Sequence, residues 1–184
     1  TAWHWYFIFL DFRQARYHEA LSVAEKALEL APLSSIIRSD RAHIYTQLGE
    51  YERAEAINLE VIELDPAFAV AYSELADLNF WELGRFDEAY KWSTRRRRLD
   101  PGDMTGLSTQ YQILVEVGAS KLAEHIFRQK EDLDENHEEL KGSSILRNLY
   151  EGNMKGAGEL AKQFSRENPS PGYQRLNGLV FAMN

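Results

Sequence analysis

Apolar residues recur along most of the chain at spacings of three and four, the period of one face of an α-helix. Residues 35–68 show the pattern clearly, as two amphipathic stretches with Gly49 between them and Pro66 after them. Glycine readily ends a helix, and proline cannot continue one because it has no backbone N–H to donate. The pattern therefore predicts two helices joined by a tight turn. Their apolar positions are Ile37, Ile44, Tyr45 and Leu48, then Tyr51, Ala54, Ile57, Val61 and Leu64.

This arrangement recurs with a period of about 34 residues. Small residues predicted to lie inside each second helix follow one another at intervals of 34, 35, 34 and 34. Another small residue stands five positions before each of them, and proline closes every repeat except the fourth. Agreement among three independent markers predicts five helix hairpins. The markers are Ala20, Ala54, Ala89, Ala123 and Ala157, with Ala15, Gly49, Gly84, Gly118 and Gly152, and with Pro32, Pro66, Pro101 and Pro169.

One hairpin cannot bury its apolar faces alone, so the repeats are expected to stack into a single domain over residues 1–184. The predicted repeats cover residues 1–34, 35–68, 69–103, 104–137 and 138–171, and a capping or truncated helix covers 172–184.

Two positions depart from the repeat. The third repeat has one extra residue between Asn79 and Gly84. Arg96 stands where a small residue is expected between helices, so its stem should lie along apolar surface and its guanidinium should extend into water.

The repeats resemble the tetratricopeptide repeat, whose signature places W-x2-L-G-x2-Y, then A-x3-F, then a closing proline over 34 residues. In the second repeat Tyr45, Gly49, Tyr51, Ala54 and Pro66 match this signature. The resemblance covers residues 1 to about 169. It implies an all-α fold, a right-handed superhelical solenoid of antiparallel hairpins whose first helices line a concave groove. It also implies a protein-interaction scaffold or adaptor and not an enzyme.

The resemblance identifies the residues that should line this groove. They are aromatic near the start of the chain and polar to acidic in its middle, which suits a peptide with basic and apolar side chains. A merely hydrated helix face is the alternative. The lysine and asparagine with which one subclass of the family clamps C-terminal carboxylates are absent from these positions. The groove residues are Tyr6, Phe9, Arg13, Asp40, His43, Gln47, Glu74, Asp77, Trp81, Thr109, Gln112 and Glu116, with Trp5 and Ser108 beside them.

The first helix is aromatic around nearly its whole circumference, although a terminal helix has a neighbour on only one side. Trp3, Phe7 and Phe12 therefore predict a terminal interface with a second copy of the chain, a partner, or a preceding part of a longer protein.

Other chemistry finds little support. Absence of cysteine excludes disulfides, thiolate metal sites and cysteine nucleophiles. The five histidines have no metal-binding spacing, and GNMKGAG at 152–158 lacks the spacing of a phosphate-binding loop, so no metal or cofactor is expected. A net charge of −8 disfavours nucleic acid, and the four arginines at 95–98 spread around their helix.

The opening apolar stretch ends at Asp11, too short to span a bilayer, so no membrane insertion is expected. The start at Thr1 indicates a processed protein or a piece of a longer one, and we expect a cytoplasmic location. The alternative function is a regulatory or sensory segment of a larger bacterial signalling protein, a transcription regulator or cyclase, which could self-associate.

Overall fold

The structure is a computed structural model that describes residues 4–6, 9–10, 15–133 and 138–167. These residues are helical wherever they form regular structure, and no strand occurs among them. Residues 4–6 and 9–10 are helical and precede the first complete helix. The helices are α1 (Tyr17–Leu30), α2 (Ser35–Gln47), α3 (Tyr51–Leu64), α4 (Ala69–Asp77) with a π-helical turn (Leu78–Glu82), α5 (Phe86–Leu99), α6 (Met104–Glu116), α7 (Ser120–Leu133), α8 (Glu138–Tyr150) and α9 (Met154–Glu167).

The chain divides into two compact units, Thr1–Pro101 and Gly102–Asn184. The N-terminal unit contains α1 to α5, in which α2 packs on α3 and α4 packs on α5 as hairpins. The C-terminal unit contains the hairpins of α6 with α7 and of α8 with α9. The helix pairs confirm the all-α repeat architecture. The prediction of one domain over 1–184 stays a prediction, and the predicted helix at 172–184 lies outside the described residues.

Left-handed residues form the turns inside the hairpins. Gly49 has φ +77°, and the next residue, Glu50, donates its backbone N–H to the carbonyl of Tyr45 across 2.8 Å, which completes a Schellman-type helix end. In the first repeat Ala15 takes this place with φ +50°, a conformation that a Cβ disfavours. The small residues at the marker position therefore confirm a turn whose backbone suits glycine.

Alanines pack where the helices approach most closely. Ala20 and Ala54 are fully buried, as the repeat pattern predicts for residues between two backbones. Val61 is also fully buried, in a core cluster with Ala42 and Ala71. Apolar burial of this kind stabilises a fold by roughly 25 cal/mol per Å². Each hairpin thus depends on its neighbour in the same unit to complete its core.

The extra residue of the third repeat is accommodated in the π-helical turn. Leu83 donates its backbone N–H to the carbonyl of Leu78 across 3.1 Å, a bond that spans five residues instead of four. Asn79, fully buried in this turn, donates its side-chain amide to the carbonyl of Leu75 across 2.8 Å. The insertion therefore widens one helical turn and leaves the glycine turn at Gly84 in place.

Candidate functional site

Histidines and carboxylates from successive first helices meet on one face of the N-terminal unit. The Nδ1 atom of His4, in the helical residues 4–6, donates to Oδ2 of Asp40 on α2 across 2.6 Å. One position along this ladder, Nδ1 of His43 lies 3.4 Å from Oε2 of Glu74 on α4. The regular stacking of the repeats places these side chains side by side, because each lies at the same level of its helix.

Burial acts on the first of these carboxylates. It raises the pKa of Asp40 above its ordinary value, and the hydrogen bond from His4 offsets part of that rise. Negative charge on Glu74 adds a smaller rise. The two histidine–carboxylate pairs are therefore electrostatically linked through the gap between α2 and α4.

Asp77 is the third carboxylate of this face, one helical turn after Glu74. Its side chain remains exposed to solvent, although protein atoms on several sides displace part of the surrounding water. This desolvation, with a further contribution from Glu74, raises the pKa of Asp77 to about 6, against the opposing effect of Arg96 and His43. Asp77 therefore exchanges its proton close to neutral pH.

Arg96 on α5 completes the surroundings of Asp77. The prediction that its guanidinium extends into water is wrong: the guanidinium turns towards the first helix of its own hairpin and donates to Oγ of Ser73. The side chain is half-buried, so its stem packs as predicted while its charged end stays at the face. We name this surface the carboxylate face. It consists of Asp40, Glu74 and Asp77 with the neighbouring His4, His43 and Arg96.

Exposed aromatic rings accompany the charged residues. Trp81, in the π-helical turn after α4, is 65% exposed and contacts Phe80 edge to face with ring centres 4.5 Å apart. Trp5 is 70% exposed, and about half of the surface of Tyr6 and of Phe9 is exposed. Such rings offer apolar area to a partner without first having to leave a core.

The C-terminal unit holds a buried cation that the sequence analysis missed. Lys130 on α7 is fully buried, and its ammonium donates to Oγ of Ser108 across 2.6 Å and to Oγ of Ser143 across 2.5 Å. It also lies 6.0 Å from the ring centre of Tyr111. The hydroxyl of Ser108, predicted to lie beside the groove, is thus engaged in the core of this unit.

The repeat register contains the signal that could have found this cation. Lys130 stands seven residues after Ala123, just as Arg96 stands seven residues after Ala89. Both cations donate to a serine on the first helix of their own hairpin. A charged residue at this inward position therefore indicates a polar contact between the two helices.

The remaining groove residues of the C-terminal unit make local contacts. Thr109 donates its hydroxyl to the carbonyl of Thr105 across 3.2 Å, and Glu116 accepts from the hydroxyl of Tyr150 across 3.0 Å. Gln112 is half-buried on α6. In the N-terminal unit Gln47 is exposed at the end of α2. Arg13, Trp3, Phe7 and Phe12 lie outside the described residues.

A cleft of about 230 Å³ also lies in the C-terminal unit. The guanidinium of Arg147 at its wall is 3.1 Å from a carboxylate oxygen of Glu124 and 3.1 Å from one of Glu151. Burial raises the pKa of Tyr111, which also lines the cleft, to about 12. The charges of this cleft are paired with one another.

Two classes of feature are absent from the part of the chain that the structure describes. None of its helices is long and apolar enough to cross a bilayer. No group of three or more histidine, aspartate and glutamate side chains within the same residues is arranged to hold a metal ion.

Comparisons with known proteins agree with the repeat pattern. The family model described as tetratricopeptide repeat matches residues 11–73. A stretch of 78 residues is 35% identical to the TPR repeat-containing thioredoxin TTL4 of Arabidopsis thaliana and covers 42% of this chain and 11% of that protein. The match thus spans about a tenth of the length of this curated relative.

Solved structures with the same fold cover most of the chain. A thermophilic TPR protein of Thermus thermophilus has a TM-score of 0.76 and 16% identity, over 93% of each chain. YrrB, described as a TPR protein with an unusual peptide-binding site, has a TM-score of 0.57 and 21% identity, over 87% of this chain and 82% of its own. Repeat register, hairpin geometry and these likenesses together make the chain a tetratricopeptide repeat protein.

Proposed function

We propose that this chain is a protein-interaction scaffold whose carboxylate face binds a partner segment that carries basic and apolar side chains. The observation that supports this proposal best is Asp77, an exposed carboxylate whose pKa is raised to about 6 beside Glu74. A desolvated carboxylate next to a second one is unfavourable in the free protein. A basic side chain placed between them would relieve that repulsion.

The charge of the face supports a cationic ligand. Asp40, Glu74 and Asp77 contribute three carboxylates, and Arg96 contributes the guanidinium that acts on Asp77. Complementary charge mainly increases the association rate and selects the partner, because unlike charges attract before contact and like charges repel. An acidic segment would therefore be rejected at this face.

The aromatic rings supply the apolar part of the interaction. Trp81 follows Asp77 by four residues and remains 65% exposed. Exposed tryptophans are among the residues that contribute most to binding energy once a partner covers them. A segment that alternates basic and aromatic or aliphatic residues would use both features.

The proposal involves no catalysis by this chain. Thioredoxin chemistry, suggested by the name of the Arabidopsis relative, needs redox-active cysteines, and this sequence has none. The peptide-binding site described for YrrB belongs to that protein, and the shared fold supports a binding role here only in general terms. A role as the regulatory segment of a larger signalling protein and self-association through the aromatic N-terminal residues stay predictions.

Selection of peptides followed by charge reversal tests the proposal. A phage-displayed library of random nine-residue peptides is selected on the wild-type protein at neutral pH. We expect enrichment of lysine or arginine together with aromatic or aliphatic residues. The double variant Glu74→Lys with Asp77→Lys should reduce the affinity of the selected peptides at least about tenfold, a loss of about 1.4 kcal/mol.

A control pair with the same change in net charge separates the face from the charge of the whole protein. Glu29→Lys with Glu63→Lys alters two exposed carboxylates on α1 and α3, away from the carboxylate face, and should leave the affinity unchanged within about twofold, as surface substitutions usually do. Enrichment of acidic peptides, or equal loss in both double variants, would contradict the proposal.

A further inference from the structure

The carboxylate face contains every group needed to reverse its own charge over a narrow pH range. His4 faces it from the N-terminal helical residues, and Asp40 and His43 face it from α2. Glu74 and Asp77 face it from α4, and Arg96 faces it from α5. Two of these groups are imidazoles, the side chain whose ordinary pKa, about 6.5, lies nearest to physiological pH.

We propose that the carboxylate face binds its basic ligand only while its histidines are neutral and Asp77 is ionised, and releases the ligand as the pH falls from about 7.5 to 5.5. This inference rests on the function proposed above and adds its regulation. The arrangement of two imidazoles within hydrogen-bonding or ion-pairing reach of carboxylates on a neighbouring helix carries it.

Neutral pH gives the face its attraction for a cation. Asp40, Glu74 and Asp77 are then ionised, and the neutral imidazoles of His4 and His43 can act as hydrogen-bond donors without carrying charge. The guanidinium of Arg96 balances only part of this negative charge. A lysine or arginine side chain of the ligand is therefore attracted.

Acidification reverses this balance in two ways. Protonated His4 and His43 form internal ion pairs with Asp40 and Glu74, at 2.6 and 3.4 Å, and these compete with a basic ligand for the same oxygens. Asp77, with its pKa of about 6, loses its charge over the same range. Arg96 is then opposed by less negative charge and repels the ligand.

A peptide that does not itself titrate in this range isolates the effect. The probe is an acetylated and amidated nine-residue peptide with the repeating sequence Lys-Ser-Phe, measured by fluorescence polarisation at pH 7.5 and 5.5 at constant ionic strength. We expect the Kd of the wild-type protein to rise about tenfold or more between these values, the effect of losing one close charge interaction. A matched peptide with glutamate in place of lysine should not bind at pH 7.5.

Variants assign the pH dependence to individual groups. His4→Gln with His43→Gln should retain the affinity at pH 7.5 and lose less of it at pH 5.5 than the wild type does. Asp77→Asn should bind more weakly at pH 7.5 and show a smaller ratio between the two Kd values. His18→Gln, which alters an exposed histidine on α1, is the matched control and should behave as the wild type. Circular dichroism at both pH values checks that each variant remains folded.

The outcomes distinguish the two proposals. Binding at pH 7.5 that persists at pH 5.5, or an unchanged Kd ratio in the double histidine variant, overturns the pH dependence and leaves the proposed function standing. Failure of the Lys-Ser-Phe peptide to bind at either pH contradicts the basic ligand itself and therefore both proposals.

Discussion

The buried ammonium of Lys130 donates to the hydroxyl of Ser108 across 2.6 Å, which links the two helices of one hairpin. Ser39 occupies the corresponding place in the second repeat, 15 residues before Ala54 as Ser108 is 15 residues before Ala123. There the inward position of the second helix carries Val61, and the buried hydroxyl of Ser39 has no hydrogen-bond partner. The same serine thus meets a cation in one repeat and a hydrocarbon in another.

This contrast predicts opposite effects of one substitution at two equivalent positions. Ser108→Ala removes an acceptor from a buried ammonium and should lower the free energy of unfolding by about 1–3 kcal/mol. Ser39→Ala removes an unsatisfied buried hydroxyl and should be neutral or stabilise the protein by up to about 1 kcal/mol. Urea unfolding followed by circular dichroism measures both. An equal loss of stability in the two variants would show that Lys130 does not depend on Ser108.

Ala15 predicts a stabilising substitution at the first turn. Its φ of +50° is unfavourable for a residue with a Cβ, and glycine fills the same place in the later repeats. We expect Ala15→Gly to raise the free energy of unfolding by about 0.5–1 kcal/mol, after the greater flexibility of glycine in the unfolded chain is taken into account. The reverse change is the control: no atom lies within 4 Å of a Cβ built on Gly49, so Gly49→Ala should destabilise through its backbone alone. A loss of stability in Ala15→Gly would contradict this account.

Asp77 predicts a pH-dependent gain in stability. Its pKa is raised from 3.8 to about 6 on folding, so the folded protein holds this proton more tightly than the unfolded chain does. The resulting stabilisation is complete below about pH 4 and is lost as the pH rises through about 6. Because Asp77 is exposed and water screens its charge, we expect Asp77→Asn to raise the free energy of unfolding at pH 8 by only about 1 kcal/mol.

The same substitution should have little effect on stability at pH 4, where Asp77 is already protonated. Asp132→Asn, at an exposed position on α7, is the control and should show no such pH dependence. Thermal unfolding of the three proteins across this pH range provides the measurement. A stabilisation of equal size at pH 4 and pH 8 would point to packing and not to charge.

Arg96 predicts a shift in the titration of Asp77. Its guanidinium lowers the pKa of that carboxyl, against the larger effect of desolvation. Arg96→Gln should therefore move the titration of Asp77 to higher pH, which carbon-13 chemical shifts of the labelled carboxyl can follow. The neighbouring substitution Arg95→Gln, whose guanidinium lies 4.3 Å from the ring centre of Trp92, should leave the titration where it is. A shift to lower pH in Arg96→Gln would contradict the proposed role of Arg96.

Periodicity predicted the helices well because helix formation depends on nearby residues. The apolar spacing in 35–68 and the glycine at position 49 describe α2, the turn and α3 as they occur. The single extra residue after Asn79 likewise predicted a local irregularity, and the structure has a π-helical turn there. A residue added within one helix can be absorbed within that helix, so its neighbours keep their register.

The candidate site was predictable only in part. The repeat register identified Asp40, His43, Glu74 and Asp77 as members of one face, because residues at equal positions of stacked repeats lie side by side. It did not identify His4, which meets Asp40 from 36 residues away. No periodic marker indicates that pairing, since His4 lies outside the spacing used for the groove.

The sequence by itself determined an all-α chain of helix hairpins, their turns and the small residues between their helices, because these follow from spacing and backbone preference. Only the tertiary structure decided where the charges go. It turned Arg96 towards Ser73, buried Lys130 between Ser108 and Ser143, and placed Asp77 where desolvation raises its pKa. The direction of a long side chain and the solvation of a carboxylate depend on neighbours from other helices, which pairwise spacing along one chain does not specify.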